Sequence, residues 1–257
     1  METDLSRFGV SIVFLDEIDS TNEEIRRRAS LGITEGFTVV AASQSQGQGR
    51  SGRQFFSPKG GNLYLSTYLT PDSSEILSKI TVMAAVATAK AINNIYFKGA
   101  TTSDKALIKW VNDIFCRGKK IGGIIAKAEN YNTDRQYVIL GIGVNIYGNS
   151  DVPDEISDVY GSIFDKKTPV DENSSQILAA EILRIFYGLY KNPGSFDYMD
   201  EYRKLSCVIG KDVVYFAGNE EKKVKVINID DDGGLTVMDE DKNERTYRDG
   251  EIRIRIK

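Results

Sequence analysis

The sequence predicts an α+β protein, in which a larger domain of strands and helices is followed by a small all-β domain. Two observations predict it. Apolar strand-like runs and amphipathic helical runs alternate as far as residue 206, and from Val208 onward only short strands and turns follow. A chain of 257 residues has room for one large domain and one small one. We therefore place the larger domain at residues 1–206 and the small domain at residues 207–257.

Hydrophobic periodicity assigns the elements of the larger domain. Strands are predicted at Val10–Leu15, Phe37–Ser43, Asn62–Leu69, Leu107–Trp110, Ile121–Ala126 and Tyr137–Gly148. Helices are predicted at Asp19–Gly32, Ser74–Tyr96, Ile177–Tyr190 and Ser195–Ser206. Ser20 or Thr21 can serve as the N-cap of the first helix. In the second helix, core positions are expected at Ile76, Ile80, Met83, Ala84, Ala87, Ala91 and Ile95. Residues 151–175 are expected to form a polar connection.

The small domain shows a different pattern. Five short strands are predicted, at Asp212–Phe216, Lys222–Ile229, Gly234–Asp239, Glu244–Arg248 and Glu251–Ile256, with turns at Asp230–Gly234 and Arg248–Gly250. Five strands in so short a segment suggest a small barrel.

One loop, Gln44–Gly61, has the composition of an anion-binding segment. It reads QSQGQGRSGRQFFSPKGG and carries five glycines with the cations Arg50, Arg53 and Lys59. No acidic residue occurs between Gly36 and Pro71, although the whole chain has a net charge of −4. Closely spaced glycines let backbone N–H groups approach an anion, and arginines bind phosphate or carboxylate oxygens. The composition indicates a mobile loop that folds over a small anion; the alternative is a solvated surface hairpin.

The same loop contains a G-x-G-x-x-G pattern at Gly47, Gly49 and Gly52. A dinucleotide-binding fold requires a helix to begin at that point. Here Pro58 and a strand-like run follow instead, so the context excludes that fold. A protein-kinase loop does lie between strands, but it requires an H-R-D catalytic segment, and the chain contains no histidine.

The composition excludes several classes of chemistry and of protein. Without histidine there is no Ser-His-Asp or Cys-His nucleophile system and no histidine zinc site. The two cysteines, Cys116 and Cys207, show neither metal-ligand spacing nor a disulfide framework. No signal peptide and no apolar run of membrane-spanning length occurs, so we expect a cytoplasmic protein. Any chemistry must use Lys, Arg, Asp, Glu and backbone dipoles, with Mg²⁺ as a further option.

Polar residues interrupt the apolar hairpin that follows the long helix. Lys109, Asn112, Asp113 and Lys120 stand among buried-strand residues, which is costly unless they face a site. The alternative is an ordinary turn, for which Asn and Asp are favoured. In the next strand, the glycines of GIGVN allow a ligand to approach the backbone closely.

These motifs, taken in order, resemble those of the biotin protein ligase family. The chain shows an STN segment at residues 20–22, the loop GQGRSGRQFF, then KWVND, KKIGG and GIGVN, which are similar to the family's STN, GRGRxGR, KWPND, RKxxG and GxGxN. Three positions depart from the family pattern. Gln48 replaces a basic residue, Val111 replaces a proline, and Phe55 replaces a tryptophan.

The resemblance implies a fold and a reaction. The fold would be a mixed sheet with helices, of the class II aminoacyl-tRNA synthetase and biotin ligase type, with an SH3-like barrel at the C-terminus. The activity would be that of a biotin–[biotin carboxyl-carrier protein] ligase, which joins biotin and ATP into biotinyl-5′-AMP and passes biotin to a lysine of a carboxylase's carrier domain. The resemblance further implies a short form without a DNA-binding domain, active as a monomer or homodimer, with no nucleic-acid or membrane partner.

It also implies roles for single residues. The catalytic cations are Arg50, Arg53, Lys109 and Lys120, and Asp113 holds Mg²⁺. The residues that bind biotin are Ser20, Thr21, Asn22, Gln44, Gly47, Gln48, Lys120, Gly123 and Gly141. The residues that bind the nucleotide are Arg50, Arg53, Phe55, Asn112 and Asn145.

Three alternative functions are weighed against this one. A lipoate ligase would use a related fold, but KWVND and GQGRSGR favour biotin. A non-catalytic biotin sensor would not need Arg50, Lys109, Asp113 and Lys120, all of which are present. A biotin-sensing repressor would need a DNA-binding domain before the motifs, and these begin near Ser20.

Overall fold

Seven strands of the larger domain form one mixed sheet. The computed structural model describes residues 5–72, 74–129, 136–194, 197–217, 220–248 and 253–256. The strands are β1 (Ser11–Leu15), β2 (Phe37–Ala41), β3 (Leu63–Leu69), β4 (Leu107–Lys109), β5 (Asp113–Cys116), β6 (Lys119–Glu129) and β7 (Tyr137–Val144). Their order across the sheet is β1-β2-β3-β7-β6-β5-β4. β1 runs parallel to β2 and the other neighbours are antiparallel. The α+β prediction with a mixed sheet is confirmed.

Helices cover both faces of this sheet. They are α1 (Thr21–Ala29), α2 (Ser74–Tyr96), α3 (Asp154–Ser157), α4 (Ser174–Tyr190) and α5 (Tyr198–Leu205). Ile80, Met83, Ala84, Ala87 and Ala91 of α2 are fully buried, as their spacing predicts, and Ile76 and Ile95 are partly buried. None of the described helices combines the length and the apolarity that a membrane span requires.

The alternation of side chains along β7 separates the two faces. Val138, Leu140, Ile142 and Val144 point into the main core with α2 and α4. Tyr137 and Ile139 point to the opposite face, where Ile25 of α1 and Val39 pack on them. Beyond Ile139 the α1 face of β7 carries glycines instead of apolar side chains, which leaves that part of the sheet open.

The small domain is a five-stranded antiparallel sheet. Its strands are β8 (Asp212–Ala217), β9 (Glu220–Ile229), β10 (Leu235–Met238), β11 (Glu244–Tyr247) and β12 (Arg253–Ile256), in the order β11-β10-β9-β8-β12. All five predicted strands are present, which is compatible with an SH3-like barrel. Parts of three predicted elements, at residues 195–196 and 249–252, lie outside the described residues.

At KWVND the sequence leaves a strand and an ordinary turn open, and the structure shows the turn: the strand predicted at Leu107–Trp110 ends at Lys109, and residues 110–112 turn between β4 and β5. Lys109 ends β4, Asp113 begins β5, and the two residues face each other across the ladder. Other elements bind the backbone of the intervening turn. The Tyr202 hydroxyl donates to Val111 O at 2.9 Å, and Ile124 N–H donates to Asn112 O at 2.9 Å. Because these partners are remote in the chain, the local pattern could not indicate which contacts hold the turn in place.

Candidate active site

A cleft of about 880 Å³ opens on the α1 face of the sheet. This volume lies within the range of small-molecule and cofactor sites. Most of the residues that the motifs point to line it, namely Thr21, Asn22, Gln44, Gln48, Arg50, Arg53, Phe55, Lys109, Asn112, Asp113, Lys120, Gly123, Gly141 and Asn145. Ser20 and Gly47 are not among the lining residues. Segments separated by more than a hundred positions in the chain therefore meet in one place.

A buried polar cluster lies at the start of α1. Gln44 Oε1 accepts hydrogen bonds from the backbone N–H of Thr21 at 2.8 Å and from its hydroxyl at 3.0 Å. Ser66 Oγ lies 2.7 Å from both Thr21 Oγ1 and Asn22 Oδ1. Ser20 occupies the N-cap position, as predicted, but its hydroxyl makes no capping bond. That hydroxyl is buried and has no hydrogen-bond partner within the described part of the chain. The cluster thus places hydroxyl and amide groups side by side in a water-poor setting.

Glycines on β6 and β7 form the floor of the cleft. Gly123 and Gly143 face each other across the two strands. A Cβ atom on Gly143 would lie 2.5 Å from Cε1 of Phe55, and one on Gly141 would lie 2.5 Å from Oδ1 of Asn22. Only glycine therefore lets the aromatic ring of the loop and the amide at the start of α1 approach the sheet so closely.

The glycine loop between β2 and β3 is itself a small hairpin. Phe55 N–H donates to Gly47 O at 2.8 Å, and Gly49 N–H donates to Arg53 O at 2.7 Å. The ring of Phe55 lies edge-on to Tyr64, with 6.3 Å between the ring centroids. The predicted position between two strands is confirmed, and the mobility of the loop in the free protein remains a prediction.

One contact fastens the tip of this loop to the domain, and another closes the loop at its base. At the tip, Arg50 Nη1 donates to Asn112 Oδ1 at 2.9 Å, and Asn112 Nδ2 donates in turn to Ile124 O at 2.7 Å. At the base, Gln44 Nε2 donates to Ser57 Oγ at 3.0 Å. The first contact joins the GQGRSGR loop to the KWVND turn directly.

Positive charge dominates the lining. The charged residues among the described lining are the cations Arg50, Arg53, Lys109 and Lys120, with the single carboxylate Asp113. Lys120 Nζ lies 2.5 Å from Asp113 Oδ1, and Lys109 Nζ lies 5.0 Å from the ring centroid of Phe115. Four cations against one carboxylate make the cleft suitable for a polyanion.

The side chains of the cleft determine how the predicted Mg²⁺ ion could be bound. The described residues contain no group of three or more His, Cys, Asp or Glu side chains that could hold a metal. Mg²⁺ is commonly bound by one or two carboxylates together with substrate phosphates and water. Asp113 therefore fits an ion that is bound largely through a polyphosphate, and does not fit one bound by the protein alone.

Sequence reasoning missed one wall of the cleft. Ile156, Val159 and Tyr160, from the stretch expected to be a mere connection, line it, as does Phe216 of β8. The Tyr160 hydroxyl is buried with no partner in the described part of the chain, and burial raises the pKa of Tyr160 to about 12. A clue was present in the apolar and aromatic residues of ISDVY, which are unusual in a solvated connection.

A second buried polar atom of the lining without a hydrogen-bond partner in the described part of the chain belongs to Asn145, which the motifs assign to the nucleotide. Asn145 Nδ2 donates to Gly161 O at 3.0 Å, whereas its Oδ1 is buried and unpartnered among the described residues. A buried acceptor without a donor is costly and is typical of a place where a ligand binds.

Comparisons with known proteins agree with the motifs. A model of the biotin/lipoate A/B protein ligase family matches residues 14–145, about half of the chain. The bifunctional ligase/repressor BirA of Escherichia coli is 26% identical over 248 residues, which are 96% of this chain and 75% of that protein. The biotin–[acetyl-CoA-carboxylase] ligase of Mycobacterium tuberculosis is 26% identical over 223 residues, 84% of this chain and 79% of that protein.

A solved structure agrees with the fold. The biotin protein ligase of Aquifex aeolicus, in complex with biotin and ATP, superimposes with a TM-score of 0.76 at 21% identity, covering 96% of this chain and 99% of that one. At this identity the likeness shows a shared fold. With the motifs gathered in one cleft and the family model matched over the same residues, the chain belongs to the biotin/lipoate A/B protein ligase family.

Proposed function

We propose that the protein is a biotin protein ligase, which activates biotin with ATP and attaches it to a lysine of a biotin carboxyl carrier domain. The observation that carries the proposal is the cleft itself. It has a buried hydroxyl and amide cluster at the start of α1 and four cations elsewhere in its lining. A small acid with a polar head group and a polyphosphate can therefore be accommodated together.

The first step joins two anions. The carboxylate of biotin attacks the α-phosphate of ATP, an O–P bond forms, and the bond to pyrophosphate breaks. A carboxylate is already a nucleophile, so no general base is needed, which suits a chain without histidine. The requirement is charge neutralisation, for which we assign Arg50, Arg53, Lys109 and Lys120.

Mg²⁺ supplies further neutralisation of the phosphates when it is bound. In this assignment Asp113 would hold the ion, together with the phosphates. Lys120, which pairs with Asp113 at 2.5 Å, would then be available to the anionic oxygens. Phe55 and Asn145 bind the adenine ring by stacking and by the unpartnered Oδ1 of Asn145.

The second step transfers biotin to the carrier. A lysine amine attacks the carbonyl carbon of the mixed anhydride, an amide bond forms, and AMP leaves. Until that lysine arrives, the loop has to keep water from the anhydride.

The polar cluster favours biotin over lipoate. The ureido ring of biotin carries N–H donors and a carbonyl acceptor, which Ser20, Thr21, Asn22 and Gln44 can match. The dithiolane ring of lipoate offers no such groups, so the buried Ser20 hydroxyl, which has no partner among the described residues, would stay unpaired against it. A repressor activity like that in the name of the Escherichia coli relative is a separate question, which a gel-shift assay with DNA upstream of biotin genes answers.

The proposal is tested by mass spectrometry of an isolated carrier domain after incubation with the protein, ATP and either biotin or lipoate. The expected result is a mass gain equal to one biotinyl group, with no gain from lipoate. A lipoyl gain, or none with either acid, would contradict the assignment.

A further inference from the structure

Gln48 uses both ends of its side-chain amide. Its Nε2 donates to Oε1 of Glu23 on α1 at 2.6 Å, and its Oε1 accepts from Nζ of Lys127 on β6 at 2.7 Å. The loop residue thus lies between an anion on a helix and a cation on a strand. Gln48 itself lines the cleft, whereas Glu23 and Lys127 do not, so both partners of its amide lie outside the lining.

The chemistry of the two partners selects an amide at this position. A carboxylate only accepts hydrogen bonds and an ammonium only donates them, which also fixes which end of the amide faces which group. An Arg or Lys at position 48 would satisfy Glu23 but repel Lys127. A Glu would satisfy Lys127 but repel Glu23. Glutamine therefore suits both neighbours of position 48, whereas the basic residue of the family motif would suit only Glu23.

Glu23 is held as a charged and oriented acceptor. Its carboxylate pairs with Arg26, whose other terminal nitrogen lies 2.5 Å from Oε1 of Glu129 near the end of β6. The hydrogen bond from Arg26, and after it that from Gln48, lowers the pKa of Glu23. The anchor for the loop is thus a network that spans α1 and β6, and it is charged at neutral pH.

The bridge holds the part of the loop that lies between its other anchors. Arg50 fastens the tip, and the backbone N–H groups of Ser45 and Gln46 fasten the base to Ile18 O and Asp19 O. Gln48 stands between them, opposite Gln54 in the hairpin. Here the backbone pairs with the return strand of the loop, and only the side chain reaches the body of the domain.

We propose that Gln48 is a positioning residue, whose amide bridges Glu23 and Lys127 to hold the glycine loop closed and so prolongs the lifetime of the reactive acyl-adenylate in the cleft. Its effect on the intermediate rests on the proposed function, whereas its effect on the loop does not. It acts through the loop and not by contact with the reacting atoms.

The first measurement is amide hydrogen exchange at Gly49 and Phe55, whose N–H groups close the hairpin. Gln48→Lys places a cation against Lys127, and exchange at both amides should rise roughly tenfold, a factor expected for the loss of hydrogen bonds to charged groups at a half-exposed site. The double variant Gln48→Lys with Lys127→Glu should return exchange to the parent value, because the new lysine then meets two carboxylates. Gln46→Lys, which adds the same charge at an exposed loop position outside the lining, is the matched control.

The second measurement is the release rate of biotinyl-5′-AMP preformed on each protein. Release should accelerate in Gln48→Lys by a similar factor and recover in the double variant. If Gln48→Lys does not fold, Gln48→Ala, which removes the amide without adding charge, should show the same direction of change in both measurements. Unchanged exchange in a folded variant, or no recovery in the double variant, would overturn the proposal. If amide exchange changes as expected but neither the parent nor its variants form the adenylate, the proposed function is wrong and the role of Gln48 in holding the loop is still supported.

Discussion

Asp113 and Lys120 form an opposite-charge pair in the lining of the cleft, 2.5 Å apart. The pair lies across β5 and β6, next to the shift in their register. Each group neutralises the other across the ladder. A polyphosphate with its Mg²⁺ ion would offer both groups partners of greater charge, so we expect the pair to separate when nucleotide binds. We therefore expect both residues to matter chiefly for steps that involve nucleotide.

Asp113→Asn should separate catalysis from binding. It removes the carboxylate assigned to Mg²⁺, so the rate of adenylate formation should fall about 100-fold, a magnitude typical of losing one electrostatic contact to the transition state. Biotin binding, measured by calorimetry without ATP, should change little. Asp104→Asn is the control, because Asp104 pairs with the exposed Arg117 outside the lining. Equal losses in rate and in biotin affinity would indicate a structural turn residue.

Gly143→Ala should displace the aromatic ring of the loop. The added Cβ would lie 2.5 Å from Cε1 of Phe55, so the ring must leave the sheet. We expect the affinity for ATP to fall about tenfold, because one aromatic contact of roughly 1 kcal/mol is lost together with the order of the loop. Gly188→Ala on α4 is the control, since a Cβ there meets no atom within 4 Å. An unchanged affinity for ATP would remove Phe55 from the nucleotide site.

At the scale of elements, the turn at residues 110–112 connects the cleft to the rest of the fold. The Trp110 indole N–H donates to Gly233 O of the small domain at 2.9 Å in a buried contact. The Tyr202 hydroxyl of α5 binds Val111 O from another direction. Asn112 holds Arg50 of the loop. Three separate parts of the molecule thus determine the position of one short segment.

Tyr202→Phe tests this connection. It leaves the carbonyl of Val111 without its donor, so the free energy of unfolding measured in urea should fall by about 1–2 kcal/mol. The rate of adenylate formation should fall roughly tenfold, because the turn shifts. Tyr187→Phe is the matched control. It removes another buried hydroxyl, 2.9 Å from Thr67 Oγ1 and outside the lining, and should cost similar stability without the loss of rate. Equal effects of both variants on the rate would contradict a special role for the turn.

Elements with a strong local period were predictable, and those set by distant contacts were not. The long helix α2 has the predicted bounds, because its apolar residues recur at helical spacing. The turn at KWVND depends on Tyr202 and on Ile124, which no pattern near Lys109 indicates. Most residues that the motifs single out do line the cleft, but their hydrogen-bond partners were not predictable. Gln48 bonds residues 25 and 79 positions away along the chain, and Tyr160 reaches the cleft from a stretch without periodicity.

At the scale of the whole molecule, the glycine loop and the small domain bound the same cleft. The loop contributes Arg50 and Phe55, and the small domain contributes Phe216. Arg203 links the two domains a second time, since its Nε donates to Ile229 O at 2.8 Å. The small domain thus forms part of the wall of the cleft, in addition to any role it has in binding a partner.

Arg50→Gly should make the protein release its intermediate. The variant loses the bond to Asn112 at the loop tip and gains backbone freedom, so adenylate is still formed but escapes and acylates lysines at random. Incubation with biotin, ATP and an unrelated lysine-rich protein, followed by a blot for biotin, measures this. Lys59→Gly is the control, because Lys59 is an exposed loop cation outside the lining. If the variant makes adenylate yet labels bystanders no more than the parent does, Arg50 is not the retaining group.

The central claim is that this one cleft joins biotin and ATP into an adenylate, and a single-turnover reaction without any carrier tests it most directly. The protein is mixed with ATP, Mg²⁺ and biotin, pyrophosphate release is followed, and the protein-bound product is identified by mass spectrometry. The account predicts a burst of about one pyrophosphate per protein, with biotinyl-5′-AMP retained, and no burst when lipoate replaces biotin. A burst with lipoate alone, or no burst with biotin, would contradict it.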